Sequence, residues 1–366
     1  MPNIALINDL RERFPDSAAI KILYFGTRKG MEKDLVLPLG VSYKGIFCGK
    51  LRRYFSWENF LDGIKIPAGI LQCLFTLLRF RPDVIFCKGG YVCFPVAVAG
   101  WILRIPVILH ESDVMPGLAN RLSSRFASKI CISFKETRQF FPKNKVVFTG
   151  NPVRRELMFG SAEDGRTFTA MHETVPILLF MGGSQGAEFI NQIVWDNLDG
   201  LLASYQVVHI CGEDKVKNAC ELLELLGEGN KKHLSRYRAF SFVGREMKDL
   251  YACSDLVVGR SGAITLSEID FFGKPALLIP LSTRVSRGDQ IDNAKVFAKN
   301  HAAAVIEEDA FNEAKFFETI TKLLGRPLMS SGHQRSIALD RSGPQRSKFA
   351  ANEKIINLLV GKCISA

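Results

Sequence analysis

Residues Ile177 to Val194 read ILLFMGGSQGAEFINQIV. The five apolar residues Ile177 to Met181, closed off by glycine, predict a short strand buried on both faces. Gly182, Gly183, Ser184, Gln185 and Gly186 then break regular structure, and apolar residues at helical spacing follow. Strand, glycine-rich turn and helix in that order open a doubly wound α/β unit. Glycines let backbone N–H groups approach an anion, and the helix start adds its partial positive charge. The turn has neither the Gly-Lys-Ser of a P-loop nor a clean G-x-G-x-x-G, and an ordinary glycine-rich turn shares its pattern.

Working outward, short β-branched runs alternate with longer amphipathic ones along the whole chain, the signature of parallel α/β layers. Strands are predicted at Ile20 to Phe25, Val84 to Cys87, Pro106 to His110, Lys129 to Ile132 and Val146 to Thr149. The rhythm repeats at Ile177 to Met181, Gln206 to Cys211, Arg238 to Val243, Leu256 to Gly259, Ala276 to Pro280 and Ala303 to Ile306. Between the halves, Gly150, Asn151 and Pro152 interrupt the pattern. The expected division is residues 1–152, residues 153–340, and a terminal helix within 341–366 packing back on the first domain. Two Rossmann-like domains facing a cleft are therefore expected, with ligands beyond the carboxyl ends of the strands.

At 366 residues the chain is long enough for two cores of about 150 residues each. Forty-eight Lys and Arg against 37 Asp and Glu give a formal +11, which asks for an anionic partner. Nothing resembles a nucleic-acid module, so the charge is better assigned to diphosphates and lipid head groups. The nine cysteines form no C-x-x-C pair; several sit in apolar runs, as thiols of a reducing compartment do. The N-terminus lacks the pattern of a signal peptide, and the apolar stretch from Tyr91 to Leu103 is too short to span a bilayer. A cytoplasmic protein able to touch a membrane is expected.

The segment LVVGRSGAITLSEIDFFGKPALLIP offers a second cradle, in which Gly259 to Ala263 lead from a strand into a helix. Glu268 lies about one and a half turns into it, where a carboxylate can accept hydrogen bonds from two ribose hydroxyls. A solvent-facing helix glutamate would look the same taken alone. Two anion-binding helix starts plus a ribose acceptor fit a nucleoside diphosphate. In SRGDQIDNAKVF, Gln290 and Asn293 stand at an i, i+3 spacing and suit either sugar hydroxyls or helix capping. His110, Glu111 and Asp113 in PVILHESDVMPGLANR, and Gly89, Gly90 and Tyr91 in CKGGYV, fall just past strand ends. Arg52, Arg53, Phe55, Trp57, Phe60 and Phe75, with Arg79 and Arg81, fit an interfacial docking site on anionic lipid; periodicity alone favours a core helix beside a basic loop.

GGYV at Gly89, HESDVMPGLANR at His110, TGNPVR at Thr149, GGSQGA at Gly182, RSGAITLSE at Arg260 and DQIDNA at Asp289 together resemble the MurG family, bacterial N-acetylglucosaminyltransferases that convert lipid I to lipid II. The resemblance keeps one order over almost the whole chain. It implies an α/β GT-B fold and inverting transfer of GlcNAc from UDP-GlcNAc to the MurNAc 4-hydroxyl of lipid I, with no metal and no cofactor, at the cytoplasmic face of the membrane. By motif, Ser184 and the helix start at Ala263, Ile264, Thr265, Leu266 and Ser267 would meet the diphosphate, as would Arg154. Glu268 would hold the ribose, Gln290 the sugar hydroxyls, and Val243, or Gly244 one residue on, the uracil through its backbone.

The family opens with a strand and a G-G-x-G-G-H loop whose histidine is a proposed base, whereas this sequence starts at the helix that follows. Two expectations follow, a start assigned too late, which is preferred, or a real truncation. Asp113 and Glu111 are then the remaining candidate bases, and Asp113, at the acceptor side, stands where some relatives carry Asn. A related glycolipid glycosyltransferase and a non-catalytic UDP-sugar-binding protein are the alternatives.

Overall fold

The computed structural model describes residues 2–16, 20–28, 30, 32–49, 57–182, 187–213, 215–216, 231–325 and 350–364. The chain forms two compact units, Met1–Arg154 with Arg346–Ala366, and Arg155–Gln345.

In the second unit the strands are β7 (Ile177–Met181), β8 (Gln206–Ile210), β9 (Tyr237–Phe240), β10 (Leu256–Gly259), β11 (Ala276–Leu278) and β12 (Ala303–Val305). They form one sheet in the order β12-β11-β10-β7-β8-β9, with every pairing parallel. The chain runs outward from β7 to β9, then returns to the other side of β7, so the strand order reverses between β7 and β10. Leu178, Phe180, Val207, Leu256, Val258 and Leu277 build the core with helices Glu188–Asp196 and Glu313–Leu324. Uninterrupted apolar strands are what a sheet covered on both faces requires.

In the first unit β1 (Leu23–Thr27) and β2 (Ser42–Ile46) form a parallel pair. β3 (Ile85–Cys87), β4 (Val107–Glu111), β5 (Lys129–Ile132) and β6 (Val146–Phe148) form a separate parallel sheet in that order. Helix Pro2–Arg13 touches both groups: Ile7 packs beside Val36, Val41 and Tyr24, and Leu6 beside Ile108 and Cys131. On the other side Cys73 and Leu77 of helix Trp57–Phe80 and Val96 and Ala97 of helix Cys93–Ile102 pack with Ile46, Ile85 and Cys87.

Helix Ala350–Ile364 belongs to this unit and buries Ile355, Ile356 and Leu359 against Leu6, Ile108 and Cys131. Its Asn352 clasps the backbone of Val153, accepting from the Val153 N–H at 3.0 Å and donating to its carbonyl at 2.9 Å.

Candidate active site

The reversal point of a doubly wound sheet leaves a crevice beyond the carboxyl ends of the two strands that flank it. Here these are β7, which runs into Gly182, and β10, which runs into Arg260, Ser261 and Gly262. The strand ends meet closely, Met181 pairing with Gly259. A Cβ on Gly259 would come within 2.7 Å of the Met181 carbonyl oxygen, so glycine is required there. Ser184 and the rest of the turn lie outside the described residues.

Gly262 is the N-cap of helix Ala263–Phe272, which starts just past the end of β10, and a helix start carries a partial positive charge. Ala263, Ile264 and Thr265 are in the first turn of this helix. Leu266 differs: its amide already donates to Gly262 O at 3.0 Å and its side chain is buried. The Ser267 hydroxyl turns back on Ala263 O at 2.8 Å. Glu268 is 8% exposed, and the Tyr251 hydroxyl donates to its Oε2 at 3.1 Å. Tyr251 itself is fully buried and stacked on Phe272 at 5.2 Å.

Gln290 opens helix Asp289–Asn300. Its Oε1 accepts from Leu281 N at 3.2 Å and its backbone carbonyl accepts from the Ser261 hydroxyl at 2.7 Å, tying it to the ends of β10 and β11. The amide orientation is thereby fixed, leaving Nε2 as the outward donor. Behind it Arg260 is buried, bonded to Ile279 O at 3.0 Å and paired with Glu308 at 2.5 Å. Val243 lies in the loop after β9, largely buried beside the exposed Phe242.

In the first unit a polar network occupies the carboxyl ends of β3 and β4. Glu111, the last residue of β4, is buried. Its Oε1 accepts from Ser112 N at 2.8 Å and Asp113 N at 3.1 Å; its Oε2 accepts from Gly117 N at 3.3 Å and Asn120 Nδ2 at 2.7 Å. Burial raises its pKa against the lowering effect of these donors. With four donors already on its two oxygens, Glu111 frames the loop that carries Asp113. The Thr137 hydroxyl fastens the far side, meeting the carbonyls of Asp113 and Val114 at 3.1 and 3.0 Å.

Lys88, directly after β3, reaches His110 Nδ1 at 2.9 Å, Asn151 Oδ1 at 3.3 Å and the Ser112 hydroxyl. His110 Nε2 lies 2.9 Å from Gly150 O, a pure acceptor, so it carries the proton and Nδ1 accepts from Lys88. Burial, then the Lys88 charge, hold the His110 pKa well below the usual imidazole value. Asn120 donates to Glu111 and to His110 O, while its own Oδ1 is buried with no hydrogen-bond partner among the described residues. Gly89 has φ +106°, and a Cβ there would lie 2.8 Å from Asn120 Nδ2. The sequence pointed to Glu111, Asp113 and the glycines; Lys88, Asn120, Asn151 and Tyr251 were not singled out, although three of them lie inside the quoted motifs.

Residues 177–340 match the model of the glycosyltransferase family 28 C-terminal domain and residues 1–132 that of the family 28 N-terminal domain. The chain belongs to glycosyltransferase family 28. Among family relatives, the UDP-N-acetylglucosamine–N-acetylmuramyl-(pentapeptide) pyrophosphoryl-undecaprenol N-acetylglucosamine transferase of Lachnospira eligens is 38% identical over 358 residues, 98% of this chain and 94% of that protein. The enzyme of the same name from Legionella pneumophila strain Lens is 41% identical over 309 residues, 84% and 81% of the two chains. The crystal structure of Acinetobacter baumannii MurG superposes with a TM-score of 0.71 at 21% identity, covering 98% of this chain and 95% of that one. A UDP-GlcNAc 2-epimerase from Neisseria meningitidis, bound to UDP-GlcNAc, gives 0.61 at 13% identity, covering 98% and 95%. The family fold is thus the two-unit α/β GT-B architecture.

Proposed function

We infer that the chain is an inverting glycosyltransferase that moves GlcNAc from UDP-GlcNAc to the MurNAc 4-hydroxyl of lipid I, giving lipid II. The observation that carries the reading is near-full-length likeness to transferases of that name, joined to the reversal point between β7 and β10. The diphosphate lies at the Gly182 turn, with Ser184, and at the amides of Ala263, Ile264 and Thr265, where oriented N–H groups stabilise charge without rearranging. Glu268 accepts from the ribose, the Val243 backbone meets the uracil, Gln290 donates to a sugar hydroxyl, and Arg154 supplies a cation for the leaving diphosphate.

In the transfer, O4 of the acceptor forms a bond to the anomeric carbon as the bond from that carbon to the β-phosphate oxygen breaks, its electron pair leaving with UDP. The hydroxyl proton passes to a base. We assign that role to Asp113, because the oxygens of Glu111 already serve backbone amides and Asn120.

The enzyme works from the cytoplasmic face of the membrane as a peripheral protein. Among the described residues no helix is long and apolar enough to cross a membrane. Leu71, Phe75 and Leu78 are 67%, 73% and 58% exposed on one stripe of helix Trp57–Phe80. Trp101 and Ile102 are exposed at the end of helix Cys93–Ile102, which packs beside it, and Arg79, Arg81 and Arg104 flank the two helix ends. Apolar side chains rimmed by cations suit an anionic bilayer surface. Arg52, Arg53 and Phe55 lie outside the described residues.

Purified protein given UDP-GlcNAc and a lipid I analogue should release UDP and form the disaccharide lipid. Binding of UDP-GlcNAc with no transfer to lipid I, or faster transfer to diacylglycerol, would overturn this reading.

A further inference from the structure

Lys88 stands where a charge is costly. Its ammonium is held among strand ends, and it has three protons for three acceptors: His110 Nδ1, Ser112 Oγ and Asn151 Oδ1. These belong to β4, to the loop after β4 and to the segment after β6, so one side chain joins three stretches of backbone. Asn151 closes the ring by donating to Ser112 O at 3.5 Å. An apolar residue would fill the same space without desolvating a charge, which argues that the charge itself has a use.

The use is legible in what the acceptors carry. Ser112 sits between Glu111 and Asp113, and the Glu111 carboxylate accepts from the amides of both Ser112 and Asp113. Thr137 holds the carbonyl side of Asp113. Lys88 supplies the remaining restraint, across the strands from β3, and by donating to His110 Nδ1 it fixes that ring as the Nε2–H tautomer bonded to Gly150. We propose that Lys88 is a charged clamp, a positioning residue that holds the Ser112–Asp113 loop in its working geometry only while its ammonium is protonated. The proposal rests on the reading of Asp113 as the base that receives the acceptor proton.

The clamp has a pH limit. Burial pushes the Lys88 pKa down to about 8, opposed by the charges of Glu111 and Asp113 and, more weakly, by Cys93, while Cys131, pushed up to about 12 by burial, stays a neutral thiol. His110, the other titratable group in contact, stays neutral. Protonated Lys88 predominates below about pH 8, and above it one donor is lost and the ring of bonds opens. Activity should therefore fall as pH rises through that value.

The test compares wild type, Lys88→Arg and Lys88→Met in kcat/KM for the lipid I analogue between pH 6.5 and 10, beside amide hydrogen exchange of the peptide spanning residues 111–117. Wild type should show an alkaline limb near pH 8. Lys88→Arg, whose guanidinium stays charged, should keep activity and move that limb upward. Lys88→Met should lose about tenfold or more at pH 7, the scale of one hydrogen bond to a charged group, and lose the limb. Equal UDP affinity by calorimetry would show that the other unit is intact in each variant.

An alkaline limb at the same pH in Lys88→Arg, or full turnover in Lys88→Met, overturns the clamp. Exchange decides independently of turnover: protection of 111–117, corrected for intrinsic rates, should fall above pH 8 in wild type. Protection unchanged by pH overturns the clamp even if Lys88→Met does not fold. Wild-type protein that shows the exchange transition yet never glycosylates lipid I would sink the functional reading and leave the clamp standing.

Discussion

Replacing Glu268 by alanine tests the nucleotide site where its geometry is most explicit. The carboxylate is 8% exposed and already accepts from Tyr251 at 3.1 Å. Two ribose hydroxyls would each add a hydrogen bond to a charged group, worth roughly 1.5–3 kcal/mol apiece. Because they share one carboxylate, about 2–4 kcal/mol is expected for the pair, or ~30- to 1,000-fold in Kd for UDP. The fold should tolerate the change. Tyr251 keeps Met181 Sδ at 3.4 Å as an alternative acceptor, and alanine suits a helix interior. Weaker binding alone would not distinguish a lost ribose contact from a disturbed helix start, so calorimetry should compare UDP with 2′-deoxy-UDP in both proteins. In wild type the missing hydroxyl should cost about 12- to 160-fold; in Glu268→Ala the ratio should approach one, since its partner is gone. An equal ratio in the two proteins refutes the ribose assignment whatever the absolute affinities.

Gln290→Glu keeps the acceptor for Leu281 N but replaces the outward amide donor by an acceptor; KM for UDP-GlcNAc should rise about tenfold while UDP affinity holds, the scale of one lost bond. Loss of UDP affinity in that variant would place Gln290 on the nucleotide instead. Changing Leu71 and Phe75 to Glu should abolish sedimentation with anionic vesicles and leave UDP binding intact; undiminished sedimentation would remove the stripe from the membrane face. His209 is buried between Tyr237 and Asn191, both at 2.9 Å, and burial pushes its pKa down to about 3. The unfolded chain takes up this proton first, so its contribution to stability is complete above about pH 6.5 and drains away as pH falls toward 3. Roughly 2 kcal/mol should be gone by pH 5. Denaturant melts of the second unit should show that slope, and His209→Gln should flatten it; an unchanged slope would show that other groups govern acid stability.

How much of this was legible in the sequence depended on how local the physics was. Strands β7 and β10 are buried on both faces and read as plain apolar runs, and β8, though it carries Gln206 and His209, keeps Val207, Val208 and Ile210, so their positions came through within a residue. β2 did not: Ser42–Ile46 alternates exposed and covered residues, carries Lys44, and among the described residues pairs only with β1. β9 stops at Phe240 rather than Val243, because Phe242 turns out to solvent. The site followed the same division. Glycine turns and helix starts announce themselves within a dozen residues. Lys88 meets partners 22, 24 and 63 residues away, and Tyr251 meets Glu268 only because one helix packs on the next. Neither sequence spacing nor composition carries that information.

Sheet order is what turns two ambiguous motifs into one site. GGSQGA and RSGAITLSE stand far apart in the chain, and each alone is matched by ordinary turns. The order β12-β11-β10-β7-β8-β9 puts their strands side by side, and the parallel register sets Met181 opposite Gly259, so both loops leave the same edge about one strand spacing apart. Gly259 permits that approach, because a side chain there would strike the Met181 carbonyl. The first unit uses its strand ends differently. There the loops after β3, β4 and β6 are bonded to one another through Lys88 and Asn151. A site that must hold an anionic leaving group does well to present backbone donors, whereas one that must take a proton does better to fix a single carboxylate rigidly. In the proposed mechanism oriented amides, with Arg154, hold the leaving diphosphate, and one of the cations behind the formal +11, Lys88, is buried among the strand ends of the first unit.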